Sequence, residues 1–306
     1  MRKARELVLD VVHAQFADAY DHGQRPYVDQ ALFLDYGDVD RLLPLVRELH
    51  ETRPFRAVVS LFELGLLPAA RINEALGLGG ESVATVELLL DKARMRSHLA
   101  AKGISPVAAA VGRSTRDVRE FTRAHGLPVI VKPIRESGSL GVFHLRDRSD
   151  VDAVAERFRS LDDGHWGVGD LADADSFDEF LMEEFLDGPE ASVESLSLDG
   201  RHVIVAVTDK DCGGPGFVEL GHAQPSDCPA AASAEVGRLV TDFLDAVGLR
   251  NGPAHTEVKL TSRGAIPQAR RGWSSEPPDS AKYSATPSAV TSPTGSDGAG
   301  PSCSPP

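Results

Sequence analysis

Between residues 9 and 90, short apolar runs alternate with longer stretches of helical period. Leu9–Ala14 and Ala31–Leu34 predict strands. Val39–Thr52 predicts a helix that turns Leu42, Leu43, Val46 and Leu49 to one side. Ala57–Leu61 predicts a third strand, and Leu64–Leu76 an apolar helix closed by Gly77 and Gly79. Strands and helices in this rhythm build a parallel sheet covered by helices, a Rossmann-like arrangement. Residue 1 falls inside the first helix of such a unit, so its opening strand is expected to be absent.

From Ser82 the pattern predicts one long helix through Asp91-Lys92 to about Lys102. Short strands and a helix lead to the strand Val129–Val131 and Lys132-Pro133. A turn-rich loop, Ile134 to Gly141, then feeds a strand over Val142–Leu145 and a helix near Val151–Ser160. The acidic stretch Asp162–Asp178 predicts a solvated loop. Strands are expected from Phe180 to Val218, an amphipathic helix over Ala231–Val247, and an alternating strand over His255–Leu260.

The final stretch, 265–306, differs in kind. Half of it is Ser, Pro and Gly, and it holds no Leu or Phe. It cannot bury enough apolar surface to offset the entropy of ordering, so a disordered tail is expected. Its charges cancel, which places the whole net charge of −14 on the preceding residues. That acidity disfavours a nucleic-acid partner, because phosphate backbones are held by Lys and Arg stripes. No apolar run approaches the ~20 residues that span a bilayer. Three cysteines without metal-ligand spacing fit a reducing, cytoplasmic setting rather than a disulfide scaffold.

Two segments carry candidate chemistry. In Val129-Ile130-Val131-Lys132-Pro133 followed by Arg-Glu-Ser-Gly-Ser-Leu-Gly, a strand-borne Lys can hold a point charge near phosphate oxygens. The small residues that follow let backbone N–H groups approach those oxygens. An ordinary hairpin with one solvated Lys explains the same string equally well. In Leu181-Met182-Glu183-Glu184-Phe185-Leu186-Asp187-Gly188-Pro189-Glu190, an extended main chain can pair with an adenine edge and a carboxylate can accept from ribose hydroxyls. An acidic strand edge is the plain alternative. No GxGxxG occurs, which argues against a dinucleotide site.

Taken with Asp91-Lys92 in the right order, these segments resemble the ATP-grasp superfamily, and most of all its L-amino acid ligase-like carboxylate–amine ligases. The segments Phe55–Leu76, Asn251–Val258 and Phe217–His222 add to that resemblance. The fold it implies is α/β (α+β ATP-grasp). A Rossmann-like domain over 1–90 would precede an ATP-grasp domain over 91–264, with a small lobe over about 100–186 and a large lobe over about 187–264. Residue by residue, Lys92 and Lys132 would hold ATP phosphates beneath a loop of Ser137, Gly138, Ser139 and Gly141. Glu183, Glu184, Phe185 and Leu186 match the adenine hinge, Glu190 the ribose carboxylate, and Lys210 a further phosphate contact. Glu257 matches a ligand for Mg²⁺, or Mn²⁺ in its place, and His222 and His255 are candidates for substrate contact.

The function so implied joins a small-molecule carboxylate to an amine, or to a carrier protein, through an acylphosphate. Homodimers occur in such a family. The alternatives are an ATP-binding remnant or interaction protein, and a biotin carboxylase-like subunit. The resemblance breaks after Arg263-Gly264, where a strand bearing Glu-x-Asn should supply the second metal ligands and the low-complexity stretch begins instead. An incomplete large lobe and an altered reading frame near residue 264 are therefore expected.

Overall fold

The structure is a computed structural model and describes residues 1–134, 141–160, 176–213 and 218–268. Three sheets divide the described chain. The first is a parallel pair, β1 (Val12–Gln15) and β2 (Gln30–Phe33), with Val12 opposite Gln30. Before it lies a short helix, α1 (Arg2–Glu6). Helices α2 (Val39–Thr52) and α3 (Glu63–Leu76) close over this pair through Leu42, Val46 and Ile72. The boundaries of α2 follow its sequence, since Asp38 caps the Arg41 N–H at 3.2 Å and apolar residues recur along one side.

The strand expected over Ala57–Leu61 does not form. The Val58 N–H and C=O are both taken by the Asn73 carboxamide of α3, at 2.9 and 2.7 Å. A side-chain amide here replaces a ladder partner, which periodicity cannot reveal. Asn73→Leu should leave both groups unpaired and cost about 1–3 kcal/mol by chemical denaturation. A loss within experimental error would show that water satisfies them equally well.

The single helix expected from Ser82 to Lys102 is two: α4 (Val83–Leu89) and α5 (Lys92–Ala101). Ser82 and Asp91 each stand in extended backbone and accept the N–H three residues on, at 3.0 and 2.9 Å. Asp91 is thus a cap, and the chain re-enters a helix immediately after it.

The second sheet has the order β3-β6-β4-β5, antiparallel throughout, from β3 (Ala109–Ser114), β4 (Val129–Pro133), β5 (Phe143–Leu145) and β6 (Ser176–Glu184). Helices α6 (Thr115–His125) and α7 (Arg148–Ser160) cover one face through Val118, Phe121, Val151 and Val154. The third sheet has the order β11-β10-β7-β8-β9, again antiparallel. It comprises β7 (Glu190–Leu198), β8 (Arg201–Gly213), β9 (Val218–Ala223), β10 (Gly252–Thr261) and β11 (Gly264–Pro267). Helix α8 (Ala230–Val247) packs Val240, Phe243 and Leu244 against Val193 and Val258 on one face.

Strand β11 corrects the expected start of the low-complexity tail at 265. Ala265 and Ile266 pair with Leu260 and Lys259, and Ile266 is buried beside Val107 and Leu186. A hairpin at Ser262-Arg263 therefore carries ordered chain through Gln268. The rest of the expected tail lies outside the described residues, as does most of the expected acidic loop.

Helix α5 joins the second and third sheets. Met95 and Leu99 enter the core under α8, while Ala93 packs on Leu181 and Ile134 of the second sheet. No helix among the described residues is long and apolar enough to cross a membrane.

Candidate active site

Alternation decides which side chains leave each core. On β6, Phe180 and Met182 point into the core of the second sheet, so Leu181 and Glu183 face the opposite side. On β4, Val129 and Val131 point inward and Lys132 outward. Because Ile130 stands opposite Glu183, Lys132 is its diagonal neighbour on that outer face. The Lys132 ammonium meets one Glu183 oxygen, and the Arg96 guanidinium of α5 meets the other at 2.5 Å. Arg96 also donates to Ser105 Oγ at 2.7 Å and to the Pro267 carbonyl at 3.1 Å. All three charged groups are largely withdrawn from water. Burial alone would raise the Glu183 carboxyl, but Lys132 and Arg96 outweigh it and hold the group at about 2.

Lys92 opens α5 and is buried. Its Nζ donates to the Pro133 and Ile134 carbonyls at 3.4 and 3.3 Å, and its backbone N–H also meets the Ile134 carbonyl. Lys92 and Lys132 therefore gather at the C-terminal end of β4, where the Gly/Ser loop begins. Gly141 ends that loop with φ +68°, while Ser137, Gly138 and Ser139 lie outside the described residues.

The segment after β6 bends from the second sheet into the third. Glu184 accepts from Arg263 Nη2 at 2.8 Å, and the Phe185 ring stacks on His144 at 4.3 Å. Leu186 is buried against Val107 and Ile266. Gly188 has φ +125°, and a Cβ there would stand 2.1 Å from the Leu260 carbonyl oxygen. Only glycine fits that approach, which sets Glu190 at the start of β7.

The face of the third sheet turned away from α8 carries a row of charge. Lys259, Glu190, Lys210 and His222 lie directly opposite one another in sequence across β10, β7, β8 and β9. Lys210 is the hub. Its Nζ lies 2.9 Å from Glu190 and 2.5 Å from Glu219, and it also meets Glu257. Burial disfavours the ammonium, but these carboxylates overcome that and raise its pKa above the ordinary lysine value. Oxygens of Glu190, Glu219 and Glu257 all lie within 4.8 Å of one another. His222 Nε2 sits 3.1 Å from Glu219, and Lys259 Nζ sits 3.3 Å from Glu190.

His255 stands directly opposite Glu194, and its Nδ1 lies 2.6 Å from that carboxylate. Its Nε2 is 3.9 Å from Glu257. Burial would lower the imidazole pKa, but Glu194 and Glu257 raise it to about 9. The raised pKa makes charged His255 a stabilising element that is complete below its ordinary value of 6.5 and lost as pH rises through about 9. Glu194→Gln should return the His255 midpoint toward neutrality, read by titrating its ring protons by NMR. An unmoved midpoint would assign the shift to Glu257 alone.

The structure thus brings Glu190, Lys210, Glu257, His222 and His255 onto one face, and Lys92, Lys132 and Glu183 to the end of the neighbouring sheet. Sequence reasoning did not pick out Arg96, Glu194, Glu219 or Lys259 as site residues. Glu219 lies in a quoted string, Phe217–His222, and its spacing of three from His222 was the available signal. Arg96 carried none, since it sits in a helix with no motif around it.

Three carboxylates suit a hard, oxygen-preferring cation, and lysines at a strand end suit phosphate oxygens. The comparisons agree with that chemistry. A family model for the ATP-grasp domain matches residues 125–269, and one for the ATP-grasp N-terminal domain matches residues 1–80. Alanine–anticapsin ligase of Bacillus subtilis (strain 168) is 28% identical over 241 residues, covering 72% of this chain and 50% of its own. The solved L-amino acid ligase from Bacillus licheniformis matches with a TM-score of 0.71 and 26% identity, over 88% of this chain and 63% of its own. The biotin carboxylase domain of a 2-oxoglutarate carboxylase from Hydrogenobacter thermophilus matches with a TM-score of 0.68 at 18% identity, covering 88% of this chain and 60% of its own, a likeness of fold alone. The chain spans about half the length of the curated relatives it matches.

Proposed function

Because the chain belongs to the ATP-grasp superfamily, we propose that it is a carboxylate–amine ligase that spends ATP to join an amino acid, or a similar small acid, to an amine. The observation that carries this reading is the Lys210 hub with its three glutamates, in the same chain as Lys92 and Lys132 at the end of β4.

In this reading Lys92 and Lys132 hold phosphate oxygens of ATP, and the main chain from Glu183 to Leu186 lines the adenine. Glu190 accepts from the ribose hydroxyls. Glu257, with Glu219 in reach, would hold Mg²⁺ or Mn²⁺ through hard oxygens, as their close grouping supports. A bound divalent cation would supply positive charge against that developing on the transferred phosphoryl group. Lys210 releases its carboxylates and turns to the phosphates. A substrate carboxylate oxygen attacks the γ-phosphorus as the bond to the bridging oxygen breaks and ADP leaves. The amine nitrogen then attacks the acyl carbon, phosphate departs with the bonding pair, and the nitrogen gives up its proton. His222 and His255 border the acid cluster and contact substrate. A cytoplasmic setting suits an enzyme that consumes ATP.

A second reading, an ATP-binding remnant, is favoured by one contact. The Gln268 N–H donates to the Glu257 carbonyl at 2.7 Å, and the strand that pairs with β10 beside it, Gly264-Ala265-Ile266-Pro267, brings no carboxylate to Glu257.

Calorimetry of ATP with Mg²⁺ on the full chain, followed by ADP release with amino acids singly and in pairs, separates the readings. Binding with amino-acid-dependent ADP release is expected. Lys132→Ala should lower ATP affinity by about tenfold or more, as loss of a charged contact does. Binding without ADP release would favour the remnant, and no binding at all would overturn both.

A further inference from the structure

Side chains on the face of the third sheet turned away from α8 fall into levels along β7, each two residues and about 7 Å from the next. The Glu190 level carries Lys259, Lys210 and His222, and the next sets Glu257 opposite Ser192. One step further, His255 stands opposite Glu194. The level beyond holds Leu196 with Pro253 and Val203, all three exposed and none able to hydrogen-bond through its side chain. The Glu194–His255 pair is therefore the last polar level before an apolar one.

Both members of the pair are half-buried, withdrawn enough to hold a geometry and open enough to meet a ligand. Glu194 Oε1 takes His255 Nδ1 at 2.6 Å and accepts from the Ser192 hydroxyl at 3.5 Å. A carboxylate that holds one imidazole nitrogen sets the direction of the other. Here that other nitrogen, Nε2, faces the acid cluster 3.9 Å from Glu257 Oε1, too far for a hydrogen bond to it.

We propose, resting on the ligase reading, that Glu194 is a positioning residue, which turns His255 Nε2 to the carboxylate oxygen of the acid substrate that does not attack ATP. In that reading the base enters at the hinge, Glu190 takes the ribose and Glu257 the metal, so the acid to be activated lies one level on. Its charged end stops at His255, because the level beyond offers no polar side chain. With an anion at each ring nitrogen, both nitrogens donate. The oxygen held at Nε2 becomes the carbonyl oxygen of the acylphosphate and gains negative charge when the amine nitrogen adds to the acyl carbon. A donor fixed there beforehand stabilises that charge without reorganising.

Steady-state ADP release on the full chain, with ATP and the amino acid varied separately, tests this. His255→Ala should lower kcat about 10²-fold, as loss of one donor to a developing oxyanion does, and leave the KM for ATP unchanged. Glu194→Ala should lower kcat about tenfold or more, again at unchanged KM for ATP, as loss of an orienting partner does. In the His255→Ala background Glu194→Ala should cost nothing further, because its effect passes through the ring. Should Glu194→Ala fail to fold, Glu194→Gln keeps the size of the side chain and supplies the same comparison. Equal losses from the Glu194 change in both backgrounds, or a KM for ATP that rises as kcat falls, would overturn the proposal and leave the pair a structural clamp. Full kcat in the Glu194 variant would overturn it too. A parent chain that binds ATP yet releases no ADP with any amino acid would instead overturn the ligase reading, and the proposal with it.

Discussion

Replacing Glu183 with alanine is expected to cost about 3–5 kcal/mol of stability, because it leaves Arg96 and Lys132 as buried cations facing each other without their shared anion. The loss has a pH signature. Glu183 is depressed from an ordinary 4.5 to about 2, so its contribution is complete above about 4.5 and disappears as pH falls through 2. Urea unfolding at pH 7 and at pH 3 should therefore show a steeper decline for the native chain than for Glu183→Ala. A triple variant with leucine at 183 and methionine at 96 and 132 should recover much of the lost stability, since apolar groups can replace a buried ion set. A Glu183→Ala variant within about 1 kcal/mol of the parent would mean that water reaches these cations.

Lys210→Ala should have two separable effects. Without the ammonium, three glutamates whose oxygens lie within 4.8 Å of one another repel, and stability should fall by about 3 kcal/mol. Millimolar Mg²⁺ should then raise the melting temperature of the variant more than that of the parent, because the cation replaces the lost internal charge. Turnover, in contrast, should fall on the order of 10²-fold and stay low at any Mg²⁺ concentration, as expected for a group that meets charge in the transition state. Equal Mg²⁺ responses in parent and variant would show that the acid cluster holds no cation. Restored turnover in Mg²⁺ would reduce Lys210 to a placeholder for the metal.

The two predictions rest on clusters that differ in how far sequence foretold them. Lys132 stood out because an apolar strand ended in Lys-Pro before small residues, a pattern that is local and short. Glu257, inside His-Thr-Glu-Val, was singled out by the family resemblance alone. The partner that makes Lys132 structurally costly to remove is Glu183, 51 positions on, and Arg96 reaches the same carboxylate from 87 positions away. Neither distance leaves a mark in periodicity. Ala57–Leu61 failed for a related reason: its composition favours a strand, but Asn73 supplies the hydrogen bonds that a neighbouring strand would have made. The division of Ser82–Lys102 was legible in principle, since Ser82 and Asp91 are both good caps, but a cap is recognised by its backbone angles, which composition does not state.

What the sequence determined by itself is most of the strongly periodic elements and their faces, though not the loop at Ala57–Leu61, the break before Lys92 or the strand Gly264–Pro267. Alternation on β6, β7 and β10 and the 3.6 period of α2 and α8 assign apolar side chains to cores and leave Glu183, Glu190 and Glu257 on the other side, because burial of apolar surface acts residue by residue along the chain. Tertiary structure alone decided the company those residues keep. Glu219, Lys210 and Glu190 meet because antiparallel register sets β7, β8 and β9 side by side, and the His255 pKa is raised because that register puts Glu194 opposite it and Glu257 two residues along the same strand. Ion pairs and hydrogen bonds depend on distances of a few ångströms across strands, and those distances exist only once the sheet has formed.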